Sequence, residues 1–174
     1  DSGWTDTDGD GYVDKDGEKL SINWLTYPTR LEQPKLAEYA QATLKDIGID
    51  VQVNNTSDHR TFAENGDFDV YVSSTTTAPT GDPEYFFTST VVGSKNYGKY
   101  QNDEVTKLTE KLHQTFDKDE RGKLAVELQQ DILDDDAFFF VSHLNMGIVT
   151  KSNVKGMAAH PCDYYEITAE LDVE

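Results

Sequence analysis

Residues 20–54 read LSINWLTYPTRLEQPKLAEYAQATLKDIGIDVQVN, and three hydrophobic periods succeed one another within them. In Leu20 to Tyr27, Leu20, Ile22, Trp24 and Thr26 alternate with Ser21, Asn23, Leu25 and Tyr27, a period near two that predicts a strand. Pro28 stops it. From Leu36 to Ile47 the positions Leu36, Tyr39, Ala40, Thr43, Leu44 and Ile47 recur every three or four residues. Pro34 suits the first turn of that helix and Gly48 its end. Ile49, Val51 and Val53 then alternate again. Strand, helix, strand over so short a span is a βαβ unit with a right-handed crossover.

The pattern continues outward. A short helix around Thr61 to Glu64 leads into a third strand in Asp67 to Ser74, and a threonine- and proline-rich loop, Thr75 to Pro83, leaves that strand's end. Loops at the carboxyl ends of strands in open α/β sheets are where ligands sit. Asn102 is placed to cap a helix with Val105, Leu108, Leu112 and Phe116 inward. Asp117 and Glu120 form a capping box for a second, with Leu124, Leu128 and Ile132 inward, the pair covering a sheet face or edge. Phe138 to Val141, Gly147 to Thr150 and Tyr164 to Leu171 read as later strands, and the acidic residues 1–18 as a loop.

The chain has 174 residues, enough for one large core or two small ones. Its 33 acidic and 15 basic side chains give a net charge of −18, which repels a phosphate backbone and excludes nucleic acid as a partner. The same field attracts cations. The single cysteine, Cys162, rules out an internal disulfide. No stretch is apolar for the ~20 residues a bilayer requires, and no signal segment opens the sequence, so an exported protein would carry its targeting segment outside it.

Asp6, Asp8, Asp10, Tyr12 and Asp14 fall at positions 1, 3, 5, 7 and 9 of a calcium loop. Position 12 falls on Gly17, with Glu18 one residue late and no flanking helix pattern, so a solvated acidic turn is the expectation and bound calcium the alternative. His113 reads as a surface residue of a helix and His59 as part of a polar stretch, whereas His143 and His160 sit where a soft ligand could project from a sheet end. Asn96-Tyr97-Gly98 places Tyr97 to line a cleft. The elbows and loops of serine hydrolases, phosphoryl-transfer enzymes and zincins are missing, so an enzyme is not expected and no cofactor is required.

Several stretches stand in one order: Asp6 to Gly11, Leu44 to Val51, Gly66-Asp67-Phe68-Asp69, Gly81-Asp82-Pro83-Glu84-Tyr85-Phe86-Phe87, Asn96 to Tyr100, and Asn153-Val154-Lys155-Gly156. In that order they resemble the C-terminal part of the family 5 extracellular solute-binding proteins, receptors for peptides and nickel complexes that serve ABC importers. The resemblance implies an α/β, three-layer lobe of a periplasmic-binding-protein-like class II fold, with a mixed sheet flanked by helices. Residues 1–18 would lead in, 19–152 form the ligand-binding lobe, and 153–174 return to an N-terminal lobe of the same receptor.

It implies further a small solute and a membrane permease as partners, and a location outside the cell, on a surface lipoprotein or in a periplasm. Thr75, Thr76, Thr77 and Tyr97 would line the cleft, and Asp82 would cap the helix after Pro83. Peptide-binding members carry an aspartate near the position of Pro79 and a tryptophan near that of Thr76. Here both are absent, so no charge-assisted bond holds a peptide ammonium there. Nickel-type relatives use histidine or a chelator instead, which points to His143 and His160. The rival from another class is a calcium-dependent extracellular interaction module built on the Asp6 to Asp14 loop.

Overall fold

The computed structural model describes residues 2–145, 147–159 and 167–174. The chain packs as two compact units, Asp1–Thr75 and Thr76–Glu174.

In the first unit the acidic segment is more ordered than the loop expected. Strands β1 (Asp14–Lys15) and β2 (Glu18–Lys19) form an antiparallel hairpin. At its tip Asp16 and Gly17 both take positive φ, 55° and 82°, the left-handed pair that a two-residue hairpin turn needs. Then β3 (Ser21–Thr26), helix α1 (Glu32–Lys45) and β4 (Asp50–Asn55) make the βαβ unit, with β3 and β4 parallel from Ser21↔Asp50 to Thr26↔Asn55. Helix α2 (His59–Asn65) returns the chain to β5 (Val70–Tyr71), parallel to β3 on its other side, so the order is β4-β3-β5. The third strand is shorter than Asp67 to Ser74. Before it, Asp69 N–H donates to the Asn23 carbonyl at 2.9 Å while its Oδ2 accepts from Asn23 N–H at 2.7 Å, and Asn23 Nδ2 donates to the Asp67 carbonyl at 3.1 Å.

Leu25, Thr26, Ala37, Val51 and Ala63 are the buried centre of this unit. Helix α1 begins earlier than its apolar pattern and turns Gln33, Ala37, Ala40 and Leu44 inward, leaving Tyr39 and Ile47 largely exposed. The small inward side chains let the helix lie close on the sheet.

The second unit has its own core. Helix α3 (Glu84–Phe86) continues into a π-helical turn, Phe87–Val91, and is followed by α4 (Asp103–Gln114) and α5 (Lys118–Asp134). Asn102 Oδ1 accepts from the Glu104 and Val105 amides, and Asp117 Oδ1 from those of Asp119 and Glu120, so both helices start at the capping residues read from the sequence. Phe87, Val91, Val105, Leu112, Leu124, Ala125, Leu128 and Ile132 form the core, with Phe86, Tyr100, Leu108 and Phe138 against it. The two helices pack on each other and on the π-helical turn, and Phe116, expected inward, is 93% exposed just past the end of α4.

Phe138–Val141 and Gly147–Thr150, expected as strands, are not strands. No ladder pairing forms there among the described residues, and Phe139, Phe140, Val141, Ile148 and Val149 are exposed. Of the strand expected over Tyr164 to Leu171, residues 164–166 lie outside the described residues and 167–171 are not in a strand. Pairing falls instead on β6 (Val154–Lys155) and β7 (Asp172–Val173), antiparallel. The α/β class holds: among the described residues the three-stranded sheet is wholly parallel, and antiparallel pairing occurs in two short ribbons and at the Thr5–Asp14 bridge. No described helix is long and apolar enough to cross a membrane.

Gly48 joins α1 to β4 at φ 78° and its carbonyl accepts from Val13 N–H at 2.7 Å. A Cβ there would stand 2.9 Å from Val13 Cγ1 and 3.1 Å from Val13 N. Gly48→Ala is expected to lower stability by about 1–3 kcal/mol, from left-handed strain and the clash together. Urea unfolding checks it, and an unchanged midpoint contradicts this account of the turn.

Candidate functional site

Parallel pairing ends β3, β4 and β5 at the same edge of the sheet, and the residues just beyond those ends gather there. Tyr27 follows β3, His59 opens α2 four residues after β4, and Tyr71 closes β5. The Tyr27 and His59 rings stack with centroids 4.1 Å apart at 21°. His59 Nδ1 lies 2.7 Å from the Tyr71 hydroxyl, and Phe68 tilts against Tyr71 at 5.7 Å. Tyr27 is buried and its hydroxyl accepts from Ser74 N–H at 3.1 Å, which ties the chain after β5 to the end of β3. Partial burial, then the neighbouring Arg60, push the His59 pKa below its ordinary value, against a smaller opposite pull from Asp58. The ring is therefore neutral at neutral pH.

The expected site residues are placed as follows. Thr75 ends the first unit, half-buried, one residue after Ser74. Thr76, half-buried, and Thr77, exposed, open the second unit. Tyr97 is half-buried in a turn where its amide donates to the Lys95 carbonyl at 2.9 Å. His143 stands exposed on the extended segment after α5, and His160 lies outside the described residues. His59, read from the sequence as one more polar residue, is half-buried and engaged. The signal that could have found it is its position between the end of β4 and the start of a helix.

In the second unit Asp82 does what was expected and more. Its Oδ1 accepts from the Glu84 amide at 2.9 Å, and Arg121 of α5 grips the carboxylate with Nε to Oδ2 at 2.9 Å and Nη2 to Oδ1 at 2.6 Å. Arg121 Nη2 also donates to Glu84 Oε2 at 2.8 Å, and Nη1 to the Leu112 and Thr115 carbonyls at 2.7 and 2.6 Å. All five guanidinium donors are thereby used, so Arg121 has none left for a ligand. Glu84 Oε1 meets His113 Nδ1 at 2.6 Å. Hydrogen bonds from Arg121 hold both carboxyls below the usual carboxylate range. An open hollow of about 620 Å³ adjoins this group beside Thr80, Tyr85, Thr88 and Phe116.

In the acidic loop Asp6, Asp8 and Asp14 bring ligand oxygens within 4.8 Å of one another. Those carboxylates serve the loop itself. Asp6 accepts from the Gly9 and Gly11 amides, Asp8 from Asp10, and Asp14 from Thr7 N–H and Oγ1. Asp10 is paired with Lys19 at 2.6 Å, whose ammonium also lies over the Tyr12 ring. Of the five residues read as a calcium set, three converge and Asp10 faces a cation the protein supplies.

The model of bacterial extracellular solute-binding proteins, family 5 Middle, matches residues 1–98. The chain belongs to this family. Over 172 residues it is 30% identical to the oligopeptide-binding protein AppA of Bacillus subtilis (strain 168), covering 95% of this chain and 32% of that protein. It is 26% identical over 168 residues to the nickel-binding protein NikA of Staphylococcus aureus (strain NCTC 8325 / PS 47), covering 95% of this chain and 34% of that one. Among solved structures, AppA of Bacillus subtilis in complex with a nonapeptide superposes with a TM-score of 0.76 at 29% identity, covering 92% of this chain and 33% of that chain. A nickel ABC transporter from Bacillus halodurans follows at 0.65 and 31%, covering 77% and 28%. This family 5 chain thus spans about a third of the length of the curated relatives it matches.

Two outcomes follow from the geometry. His59 should titrate below the ordinary histidine value of about 6.5. Because folding disfavours its protonated form, the stability it contributes is present above that pH and is lost as pH falls through the lower folded value. An NMR titration of the His59 ring with a midpoint at or above that of free histidine contradicts this. Arg121→Ala should destabilise the protein by about 2 kcal/mol, a buried-pair figure reduced because Asp82 is 40% exposed. Arg121→Lys should recover only part, since an ammonium cannot reproduce the fork. Equal midpoints for wild type and R121A in urea would contradict it.

Proposed function

We propose that this chain is a solute-binding lobe of an ABC-importer receptor, which captures a short peptide or a metal chelate outside the cell membrane and presents it to a permease. The observation that carries the reading is the edge where Tyr27, His59 and Tyr71 gather beyond the parallel strands, on a chain of a solute-receptor family. Such an edge offers ring faces for apolar burial and a few fixed polar atoms for orientation, the mixture small-solute sites use. Similarity to a peptide-bound AppA and to a nickel transporter supports the two solute classes. In the proposed receptor another lobe of the same protein supplies the facing wall, and closure around the solute signals occupancy to the permease. The role is capture without chemical change. A periplasmic location or a surface lipoprotein anchor belongs to the same proposal.

Native mass spectrometry tests it. The receptor encoded by the whole gene, purified from cells grown with mixed peptides and nickel–histidine, is expected to carry one equivalent of a peptide or metal chelate that denaturation releases. A mass equal to the polypeptide alone under both supplements would overturn the proposal.

A further inference from the structure

We infer that Asn55 is a glycan acceptor, its side-chain amide taking an oligosaccharide from a lipid-linked donor once the chain has been exported. The inference rests on the solute-receptor reading, which puts the chain outside the cell membrane, and adds a covalent modification that this reading does not contain.

An acceptor asparagine needs serine or threonine two positions on, with no proline between. Of the eight asparagines in the sequence, Asn54 and Asn55 alone meet this, in Asn54-Asn55-Thr56 and Asn55-Thr56-Ser57. The two motifs overlap, and the structure separates them. Asn54 lies in the parallel ladder opposite Leu25 and is half-buried. The Thr56 hydroxyl its motif requires is also half-buried and accepts from Asp58 N–H at 3.1 Å. Asn55 is the last residue of β4 and is exposed, as is Ser57 in the turn that follows. Neither the Asn55 amide nor the Ser57 hydroxyl makes a hydrogen bond among the described residues. A transferase can therefore reach both groups of the second motif without breaking a contact.

The place suits a bulky, hydrated group. β4 is an outer strand of the β4-β3-β5 sheet. Asp50 N–H donates to the Leu20 carbonyl and Thr56 N–H to the Thr26 carbonyl, so the alternate residues Val51, Val53 and Asn55 turn their peptide groups away from β3. Of these groups the Val51 carbonyl alone has a partner among the described residues, Gln41 Nε2 at 2.7 Å. An unpaired edge invites another chain to add a strand, and proteins cover or blunt such edges. A glycan on Asn55 stands at the end of this edge, where it keeps a second chain away and finds open solvent to occupy.

In the transfer, Asn55 Nδ2 bonds to the anomeric carbon of the first sugar. The bond from that carbon to the lipid phosphate oxygen breaks, its electron pair leaving with the phosphate, and the amide yields one proton to a base of the transferase. A cellular oligosaccharyltransferase supplies the catalysis, and this chain supplies the acceptor.

Peptide mass spectrometry on the receptor encoded by the whole gene, purified from the cells that naturally make it, tests this. Trypsin cuts after Lys45 and Arg60 and releases residues 46–60, which hold both motifs. That peptide is expected to carry added sugar mass, with fragments placing the sugar on Asn55. Asn55→Gln and Ser57→Ala should each abolish the glycopeptide, while Asn54→Gln should leave it. Residues 46–60 found at unmodified mass alone, sugar on Asn54, or a glycopeptide surviving Ser57→Ala would overturn the assignment. An unmodified peptide from a receptor that still carries its solute removes the glycan and keeps the receptor reading, whereas a glycopeptide from a receptor without solute does the reverse.

Discussion

β3 carries a parallel ladder on both sides, and the first unit is organised by it. Parallel strands cannot be joined by a tight turn, so α1 and α2 must carry the chain back to the starting edge before each new strand begins. Every strand therefore finishes at the same edge. Tyr27, His59 and Tyr71 are separated in sequence and come together only because of that shared finish. The glycine at 48 serves the same end, letting helix α1 stop and β4 start with no room for a side chain against Val13.

Two clusters of polar groups in this strongly acidic protein satisfy themselves. Arg121 binds two carboxylates and two helix-end carbonyls, which fastens the start of α5 to the end of α4 and to the turn at Asp82. That arrangement looks like a charged site and is a structural clamp. In the Asp6 to Asp14 loop the carboxylates accept from the loop's own amides, and Asp10 pairs with Lys19. His59 and His113 each have Nδ1 held, by Tyr71 and by Glu84, and the His59 ring is in addition stacked on Tyr27.

Elements set by local chemistry were legible. The alternation in Ser21–Thr26 and Asp50–Asn55, the cap residues Asn102 and Asp117, and the capping role of Asp82 are all decided within a few residues of themselves. The Asp16-Gly17 turn was equally local and was passed over inside a run of aspartates. Apolar alternation misled at Phe138–Val141 and Gly147–Thr150, because a strand is half of a pair and alternation does not say whether a partner exists. Periodicity likewise found α1 and misjudged its inward face, since Tyr39 and Ile47 project away from a helix that approaches the sheet through alanines.

The sequence by itself determined where the chain turns, which segments extend or coil, and that the protein repels nucleic acid, because conformational preference and net charge belong to residues one at a time or in short runs. Tertiary structure alone decided which histidines are engaged, which acids are already paired, and which arginine is spent. Those facts depend on atoms tens of residues apart being held within hydrogen-bonding distance. His59 and Tyr71, twelve positions apart, or Asp82 and Arg121, thirty-nine apart, acquire their chemistry only from the packing that joins them.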